Sequence, residues 1–343
     1  MGKCMEGSVQ KLMAVGNLEQ EEFAEFLRFR NIETTEYLNE KACEIRRRVK
    51  KDKIQIWGRI PISSFCKYNC KICGIRRDNR FAKRYRMETD LILDCCREFG
   101  KKGIRSFLLE SGDDVYYTQQ RVEEMINTVQ KEYPDSRIIL SLGEKTEEAY
   151  RSWFHAGASS YILRHGSANE IHFRRLFPSN MSLLLRKQCL WQLREAGYST
   201  GTGFLVGVPY QSIDNVLEDI QFMKSFEASI IDMGAFVPAV HTEFERERSG
   251  NGDMTLYLLA IFRLMLPEAE ILASPTLDCV LKDGRLKAFL AGADVLVVDL
   301  VEAAIMDSYR VYERKNGRFA LPLDNVEEMI GQLERTGLVV QRV

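Results

Sequence analysis

Three cysteines in one short loop carry the most specific chemistry in this sequence. The segment FCKYNCKICGIRRDNR places Cys66, Cys70 and Cys73 at Cys-x3-Cys-x2-Cys spacing. Each thiolate can bind one iron of a cubane cluster. Because a 4Fe–4S cluster normally takes four cysteines, the fourth iron is left without a protein ligand. A catalytic metal site keeps such an open position. The spacing therefore predicts a catalytic 4Fe–4S cluster held by these three residues.

Two other interpretations of the cysteines remain open. A structural zinc site normally has four ligands, but the sequence has no second Cys-x2-Cys and no His-x3-His, and its four histidines are scattered. The three residues could also be unrelated core cysteines, although the loop around them is polar. Disulfides are not the default in a reducing compartment, and we expect Cys95 and Cys96 to pack against a sheet.

The cysteine loop follows the first of eight β-prone runs, most of which alternate with amphipathic segments. The runs are Ile54–Trp57, Ser106–Leu109, Arg137–Leu142, Ser160–Leu163, Thr202–Val206, Ser229–Asp232, Glu270–Leu272 and Asp294–Val298. Eight strand–helix units predict an α/β fold, a parallel sheet closed as a (βα)8 barrel of the TIM type. The first 50 residues have the apolar spacing of helices, and another amphipathic helix lies near the end of the chain.

Active sites of such barrels lie at the C-terminal ends of the strands, in the loops that follow them. Polar or glycine-containing motifs follow the first five runs at that end. They are the cysteine loop, Ser111-Gly112-Asp113-Asp114, Gly143-Glu144, Arg164-His165 and Gly207-Val208-Pro209. The candidate chemistry therefore falls at one end of the barrel.

The composition is that of an ordinary globular protein of 343 residues, 45% hydrophobic and 28% charged. Its 48 basic and 49 acidic residues nearly cancel, so no global field attracts nucleic acid or an anionic membrane. The N-terminus lacks the apolar run of a secretory signal, and no stretch reaches the roughly 18 apolar residues of a membrane span. We expect a soluble, cytoplasmic protein without a nucleic-acid or membrane partner.

Beyond the cysteine loop, the chain resembles the radical S-adenosylmethionine (SAM) superfamily. It is most similar to the branch of biotin synthase, methylornithine synthase and the FeFe-hydrogenase maturase HydE, and within it to the maturase. The resemblance rests on CKYNCKICGIRRDNRFAKRYRM, FLLESGDD, LSLGE, YILRHGSAN, HFRRLFP, GTGFLVGVP and AFVPAVHTEF. These segments run in the family's order from residue 53 to about 300.

The resemblance implies the fold, the cofactors and the domains. We expect an N-terminal helical cap over residues 1–52, a radical SAM (βα)8 barrel over 53–300 and a C-terminal helical extension over 301–343. The cofactors would be the 4Fe–4S cluster and SAM, whose amino and carboxylate groups fill the open iron position. One-electron reduction then cleaves a carbon–sulfur bond of SAM and releases a 5′-deoxyadenosyl radical, chemistry that the cofactors supply.

The resemblance also implies which residues bind SAM. Ser111, Gly112 and Asp113 resemble the motif that holds its amino group, and Arg186 is similar to a carboxylate ligand that a guanidinium can grip bidentately. The glycine-rich run Gly201–Gly207 resembles the element that approaches the adenine. Further residues implied at the cofactor are Ser141, Glu144, Ser167, Gly203 and Val206. The alternatives are an ordinary turn, a surface arginine and glycines that permit close packing.

Arg164 and His165 match an Arg-His pair of the maturase. Two such groups pointing into the barrel mouth would suit an anionic substrate, so we expect them to act in catalysis with the cysteines. For the arginines that flank the cysteine loop we expect loop bracing. These are Arg76, Arg77, Arg84 and Arg86.

The match departs from the family pattern at three places. Gly166 stands where the maturase has an acidic residue that contacts the SAM ribose, so Ser167 or another group must compensate. The second-strand motif reads SGDD in place of SGED. The C-terminal cysteine group of some maturases is missing, since only Cys279 lies in that region. The auxiliary-cluster cysteines of biotin synthase are missing too, and Leu109, Leu140 and Thr200 lie at the matching places.

Three hypotheses for function follow. The first is a maturase-type enzyme acting on a small sulfur-containing substrate, such as an iron–cysteine precursor, with an external electron donor of the ferredoxin or flavodoxin type. The second is a methylornithine-synthase-like mutase of an amino-acid-like substrate. The third is a noncatalytic iron–sulfur or zinc-binding partner protein. Four residues are expected at the substrate end: Asp278, Asp299, Tyr309 and Tyr312. Several anion sites there would favour the first hypothesis, and a paired carboxylate and cation set the second.

Overall fold

The structure is a computed structural model that describes residues 2–299, 301, 303–312 and 323–341. Its strands lie in or near the eight predicted runs, with three short additions. They are β1 (Lys53–Ser63), β2 (Ser106–Ser111), β3 (Arg137–Ser141), β4 (Ala158–Ile162), β5 (Ser199–Thr202), β6 (Leu205–Val206), β7 (Ile230–Ile231), β8 (Gly234–Ala235), β9 (Glu270–Ile271), β10 (Val295–Asp299) and β11 (Val339–Gln341).

Eight of these strands form a parallel barrel, which confirms the predicted fold. Their order is β10-β1-β2-β3-β4-β5-β7-β9. A parallel bridge between Leu272, just after β9, and Val295 of β10 joins the two ends of this order. The short strands β6 and β8 pair with each other beyond the ends of β5 and β7. All eight barrel strands therefore point their C-terminal ends the same way.

Helices connect the strands and surround the barrel. They are α1 (Gly2–Val15), α2 (Gln20–Arg28), α3 (Ile32–Lys50), α4 (Thr89–Lys101), α5 (Gln119–Glu132), α6 (Glu147–His155), α7 (Glu170–Leu176), α8 (Leu183–Glu195), α9 (Ile213–Ser225), α10 (Gly252–Met265), α11 (Leu277–Val280), α12 (Gly284–Leu290), α13 (Ala303–Met306) and α14 (Leu323–Arg335). Their apolar faces and the outward faces of the strands form the main core.

The interior of the barrel has three layers. The middle layer is apolar and separate from the main core: Trp57, Leu108, Ile139, Ile162, Ile230, Leu272, Val295 and Val297. Side chains two positions along a strand face the same side, so the next inward residues lie above and below. The upper layer, at the C-terminal ends, contains Arg59, Glu110, Arg164, Asp232 and Asp299. The lower layer contains Gln55, Arg137, Ser160 and Glu270.

The N-terminal helices pack against the outside of the barrel. Hydrogen bonds join them to the outer helices, as between the hydroxyl of Tyr257 in α10 and the carbonyl oxygen of Phe26 in α2. At the other end of the chain, α14 confirms the predicted helix, but β11 adds a strand that pairs in parallel with the start of β1. The predicted boundaries at 52 and 300 stay predictions, and residues 313–322 of the extension lie outside the described residues. In the parts that the structure describes, every helix is too short or too polar to cross a membrane.

Candidate active site

The cysteine loop begins where β1 ends and is fixed to two neighbouring loops. The N–H of Lys67 donates to the carbonyl oxygen of Asp113 at 2.9 Å, and the N–H of Lys71 donates to that of Leu176 at 3.0 Å. The guanidinium of Arg84 braces the loop by donating to three backbone carbonyls, those of Ser64, Ile75 and Arg76. The positions of the three cysteines are therefore set by the barrel and not by the loop alone.

The three thiols are half-buried at this end of the barrel. Burial raises the pKa of each of them, to about 12 for Cys73. The neighbouring thiols raise the pKa of Cys70 and Cys73 further. Iron binds thiolates, so binding of a cluster must displace the protons that this environment holds.

The surroundings of the thiols fit a cluster. Among the residues that the structure describes, no three His, Cys, Asp or Glu side chains are arranged as ligands of a single metal ion. The ligands of a cubane need no such arrangement, because each thiolate binds a different iron. The sulfur of Met181 lies 3.6 Å from that of Cys70, within an apolar cluster that includes Leu176, Phe177 and Phe236. Such a shell limits solvent access to a redox centre.

The motif after β2 lies directly against the cysteine loop. A Cβ on Gly112 would lie 2.3 Å from the Phe65 carbonyl oxygen and 2.7 Å from the Cβ of Cys66. Only glycine allows this close approach. The hydroxyl of Ser111 donates to the Gly112 carbonyl oxygen at 2.5 Å. The motif is therefore packed onto the first cysteine, which an ordinary surface turn would not be.

The carboxylate of Asp113 is buried and surrounded by cationic and N–H groups. It accepts hydrogen bonds from the Glu144 N–H at 3.2 Å and from the ammonium of Lys145 at 2.8 Å. The ammonium of Lys67 lies 3.1 Å away. By contrast, Asp114 accepts a bidentate bond from Arg86 and one from a serine hydroxyl. Asp114 thus braces the loop, while Asp113 links the cysteine loop to the loop after β3.

Arg186 of α8 is buried and reaches the ends of β3 and β4. Its Nε donates to the Glu144 carboxylate at 2.6 Å, and its Nη1 donates to the carbonyl oxygen of Arg164 at 2.8 Å. The hydroxyl of Tyr68, in the cysteine loop, donates to the same carboxylate at 2.9 Å. Ser141 ends β3, half-buried, just before this group. The surface-arginine alternative for Arg186 is therefore wrong.

The structure separates Arg164 from His165. The Arg164 guanidinium lies in the upper layer, where it donates to both carboxylate oxygens of Asp232 at 2.6 and 2.7 Å. His165 is fully buried on the other side of the strand. Its ring nitrogens lie 3.0 Å from the Thr202 hydroxyl and 3.1 Å from the Asp219 carboxylate of α9. The prediction that His165 points into the barrel mouth is wrong, and its contacts are those of a residue that joins barrel to helix.

The loop after β4 leaves no room for a side chain at position 166. Gly166 has a φ of +81°, and a Cβ there would lie 2.5 Å from the Phe177 ring. Ser167 is buried, and its hydroxyl accepts from the Asn169 N–H at 3.3 Å and lies 3.0 Å from a ring nitrogen of His172. Phe177 therefore fills the space of the missing side chain, while the Ser167 hydroxyl is engaged at the start of α7.

The glycine-rich run lies beside this loop. The carbonyl oxygen of Gly203 accepts a hydrogen bond from the Gly166 N–H at 3.1 Å. Val206 belongs to β6 and pairs with Ala235 of β8. The backbone just after β5 thus lies against the loop after β4, and the role of this run at the adenine stays a prediction.

A cavity of about 120 Å³ lies inside the barrel mouth, beside Cys73. Its walls combine the charged upper layer with apolar and hydroxyl side chains. They include Arg59, Ile72, Cys73, Glu110, Arg164, Leu205, Ala235, Val237, Ser274, Thr276, Tyr309 and Tyr312. Tyr309 and Tyr312 thus lie where the sequence placed them.

The expected aspartates have different positions. Asp299 pairs with Arg59 through bonds of 2.6 and 2.9 Å, next to the cavity. Asp278 instead accepts from the backbone and the guanidinium of Arg285 and does not line the cavity. The motif search missed Arg59, Glu110 and Asp232, although each lies two positions beyond an apolar residue of the middle layer. That period of two was the available signal.

Comparison with known proteins agrees with this geometry. The family model described as the radical SAM superfamily matches residues 60–223. The [FeFe] hydrogenase maturase subunit HydE of Thermotoga maritima is 35% identical over 274 residues, 80% of this chain and 78% of the maturase. A 3-methylornithine synthase of Methanosarcina acetivorans is 24% identical over 307 residues, 89% of this chain and 86% of that enzyme.

Solved structures share the fold at lower identity. Methylornithine synthase (PylB) superposes with a TM-score of 0.84 at 20% identity and covers 98% of this chain and 97% of its own. The FeFe-hydrogenase maturase HydG from Carboxydothermus hydrogenoformans gives 0.81 at 19% identity, covering 99% of this chain and 80% of its own. Family model, relatives and barrel agree with the cysteine loop, so this chain belongs to the radical SAM superfamily and is an enzyme that uses a 4Fe–4S cluster and SAM.

Proposed function

We propose that this enzyme is of the hydrogenase-maturase (HydE) type and acts on a small, sulfur-containing substrate derived from an amino acid. The substrate would lie in the cavity beside Cys73. The similarity to the Thermotoga maritima maturase over 80% of the chain supports the type. The upper layer of the barrel supports the amino-acid character of the substrate, and the sulfur rests on the similarity to the maturase alone.

The charges of the upper layer carry this proposal. Two guanidinium groups, those of Arg59 and Arg164, face three carboxylates. Asp299 and Asp232 each hold one guanidinium through two hydrogen bonds. Glu110 is paired less closely, with an oxygen 3.5 Å from a nitrogen of Arg59. The bonds of Arg164 to Asp232 use Nε and Nη2, so Nη1 is the guanidinium nitrogen that can donate to a substrate carboxylate. Glu110 is the weakly paired carboxylate that can accept from a substrate ammonium.

The position of Glu110 inside the barrel has an electrostatic consequence. Burial raises the pKa of its carboxyl, and the nearby guanidinium of Arg59 offsets this effect only in part. An incoming ammonium group would pair with the carboxylate and favour its ionised form. A zwitterionic ligand therefore matches this layer better than a simple anion does.

We further propose the predicted residues as the cofactor site. Cys66, Cys70 and Cys73 would hold the cluster, and the cofactors together supply reductive cleavage of SAM to a 5′-deoxyadenosyl radical. Asp113 offers a buried carboxylate beside Cys66 for the SAM amino group, and Arg186 a guanidinium for its carboxylate. The apolar shell around Cys70 and Phe177 would exclude water. The other implied contacts are Ser111, Gly112, Ser141, Glu144, Gly203 and Val206, with Ser167 supporting the loop through α7.

A methylornithine-synthase-like mutase is the second candidate. The paired cations and carboxylates of the upper layer are the arrangement expected for this candidate, whose substrate is an α-amino acid without sulfur. The 3-methylornithine synthase of Methanosarcina acetivorans is 24% identical over 89% of this chain. The two candidates share cofactor and fold and differ in substrate. Only a substrate test can separate them.

The first experiment tests the radical chemistry itself. The protein is reconstituted anaerobically with iron and sulfide and incubated with dithionite and SAM, and 5′-deoxyadenosine is measured by chromatography. We expect the wild type to form it and Cys70→Ala to form none. The matched control is Cys189→Ala, a buried cysteine on α8, which should retain the cluster and the activity.

The second experiment tests the substrate. Cells that lack their own maturase receive this gene, and hydrogen evolution by their FeFe hydrogenase is measured. Recovery with the wild type and not with Cys70→Ala supports the maturase-type role. Absence of recovery, together with consumption of a sulfur-free amino acid by the reconstituted enzyme, would replace it with the mutase.

A further inference from the structure

An exposed aromatic side chain lies beside the cysteine loop. Phe81 is 74% exposed and stacks on the ring of His241, with 4.1 Å between ring centroids. Val240, next to it, is also exposed. A single exposed apolar residue is common, but Phe81 is fixed by stacking and shares its groove with the exposed Val240, so the two form a small apolar patch that a partner protein can cover. We define the docking surface by six residues: Arg80, Phe81, Lys83, Val240, His241 and Arg310.

The docking surface surrounds a groove whose floor is close to the cluster ligands. The groove has a volume of about 190 Å³ and includes Gly74, Phe81, Lys83, His241 and Arg310 in its walls. Gly74 follows Cys73 directly in the chain, and its N–H donates to the Val311 carbonyl oxygen at 2.8 Å. A molecule in this groove is therefore separated from Cys73 by a single residue of backbone.

The charge of the surface is positive. Lys83 and Arg310 are exposed in the walls of the groove, and Asp307 is the one carboxylate among the described walls. Arg80, next to Phe81 in the chain, is exposed as well, and the Glu245 carboxylate accepts from the His241 N–H at 2.8 Å. Within the part of the chain that the structure describes, neither Arg80 nor Lys83 forms an ion pair in which the nitrogen and oxygen lie within 4.0 Å. These cations thus have no visible role in holding the fold.

Nearby arginines behave differently. The guanidinium of Arg84 donates to backbone carbonyls of the cysteine loop. Arg76 donates to the carbonyl oxygen of His241 and to the side chain of Asn69. Arg86 grips Asp114. The predicted bracing role therefore holds for these three arginines. Arg80 and Lys83 take no part in it, so their side chains are available to a partner.

We propose that this surface docks an acidic one-electron carrier protein of the ferredoxin or flavodoxin type. The inference rests on the proposed function, since it names the partner that reduces the cluster held by Cys66, Cys70 and Cys73. The carrier loses one electron and the cluster gains one, and no atoms are exchanged. The positive rim steers an acidic partner into contact, and Phe81 is the anchor that the partner covers.

The experiment compares two reductants on the reconstituted holoenzyme. The rate of 5′-deoxyadenosine formation is measured with dithionite and, separately, with ferredoxin kept reduced by NADPH and ferredoxin reductase. A flavodoxin arm repeats the second measurement. The test variant is Phe81→Ser combined with Lys83→Glu. The matched control is Lys131→Glu, an exposed lysine on α5.

We expect the test variant to lose at least about tenfold in the carrier-driven rate and to stay within about twofold of the wild type with dithionite. The carrier-driven rate of the wild type should fall with added salt, because screening weakens the attraction between exposed charges. Carbodiimide cross-linking should join carrier carboxylates to Lys83 and not to Lys131. This readout does not depend on SAM cleavage.

Three outcomes would overturn the proposal. One is an unchanged carrier-driven rate in the test variant. Another is an equal loss with both reductants, which would mean that the variant damages the cluster loop. The third is cross-linking at Lys131 but not at Lys83. If the wild type itself cleaves no SAM with dithionite, the proposed function fails, and cross-linking still decides whether the carrier binds here.

Discussion

A charged layer lies at each end of the barrel interior. Both layers contain arginine and carboxylate side chains, but they differ in how completely these groups are paired. In the lower layer, Arg137 donates to both oxygens of Glu270 at 2.5 and 2.6 Å and twice to the hydroxyl of Ser160. Gln55 donates to Glu270 as well, and the guanidinium lies 5.0 Å from the Trp57 ring. Because β3 and β9 are not neighbours, the ion pair between Arg137 and Glu270 crosses the barrel interior and links these two strands.

The upper layer has more carboxylates than guanidinium groups, and it borders a cavity. Arg59 and Arg164 have bidentate partners, but Glu110 does not. The donors and acceptors of the lower layer are matched, although a cavity of about 620 Å³ borders Arg137, Ser160 and Glu270. The upper layer has an unmatched carboxylate beside its smaller cavity, so the layers differ in pairing and not in the presence of space. The comparison agrees with the general division of such barrels into a stabilising face and an active face.

The largest expected effect comes from removing the arginine of each layer in turn. Arg59→Met should abolish most substrate turnover, by about 100-fold or more, since a charge-assisted contact to the ligand is lost and two carboxylates are left unpaired. Arg137→Met should change turnover by less than about threefold, although both variants lose stability. Recovery of hydrogen evolution in cells lacking their maturase measures the difference.

SAM cleavage with dithionite serves as the control for both variants. It needs the cofactor site and not the substrate, so we expect it to persist in each. Equal loss of turnover in Arg137→Met and Arg59→Met, with cleavage intact, would show that the lower layer also takes part in function. The division into a stabilising lower layer and a ligand-binding upper layer would then be wrong.

The next effect concerns stability alone. Arg137→Met leaves Glu270 without its cation and should cost about 3–5 kcal/mol of unfolding free energy. The double variant Arg137→Met with Glu270→Leu should recover most of that cost, because apolar groups can replace a buried ion pair. Anaerobic denaturant titration measures the free energies. A double variant as unstable as the single one would mean that the lower pair stabilises the barrel by more than mutual neutralisation.

The sequence predicted the barrel because each strand is a short apolar run followed by a motif or a helix. It predicted the cysteine loop and the Gly112 motif because those residue types have few other uses at that spacing. It failed at His165 because adjacent residues of the extended segment that follows β4 face opposite sides, so Arg164 and His165 cannot both face the cavity.

Other features could not be read from the sequence. The ring of Phe177 lies against Gly166 only because the loop after β4 folds back, and α9 supplies Asp219 to His165 from 54 positions along the chain. The strand Val339–Gln341 has three residues, too few for a periodic signal, and forms by pairing with β1. These contacts are tertiary, and a single sequence does not specify which loops meet.

A smaller effect on stability is expected at Gly166, in the loop after β4. Gly166→Glu restores the acidic residue of the family pattern, but it places a side chain against Phe177 at positive φ. We expect a loss of about 2 kcal/mol in unfolding free energy and weaker SAM binding. Ser159→Glu, at the exposed lower part of the same strand, is the matched control and should cost less than about 0.5 kcal/mol.

Calorimetric titration with SAM and denaturant unfolding measure both quantities. Stronger SAM binding by Gly166→Glu without loss of stability would mean that Phe177 moves aside easily. The loop after β4 would then be as accessible as the cavity, and Phe177 would not separate that loop from the substrate site.

The smallest effect is expected at Glu110, the carboxylate of the upper layer without a bidentate partner. Burial raises the pKa of Glu110, so the folded protein holds this proton more tightly than the unfolded chain does. The stability from the protonated form is present below the unfolded pKa and is lost as pH rises through the folded pKa. Glu110→Gln cannot ionise, so its melting temperature should exceed that of the wild type increasingly from pH 5 to pH 8, by about 2 °C at the end. Glu270→Gln, in the lower layer, should instead lower the melting temperature throughout, because Arg137 loses its carboxylate. If the melting temperature of the wild type instead rose relative to that of Glu110→Gln as pH increased, Glu110 would be as firmly paired as Glu270. The two layers would then not differ in how their carboxylates are paired.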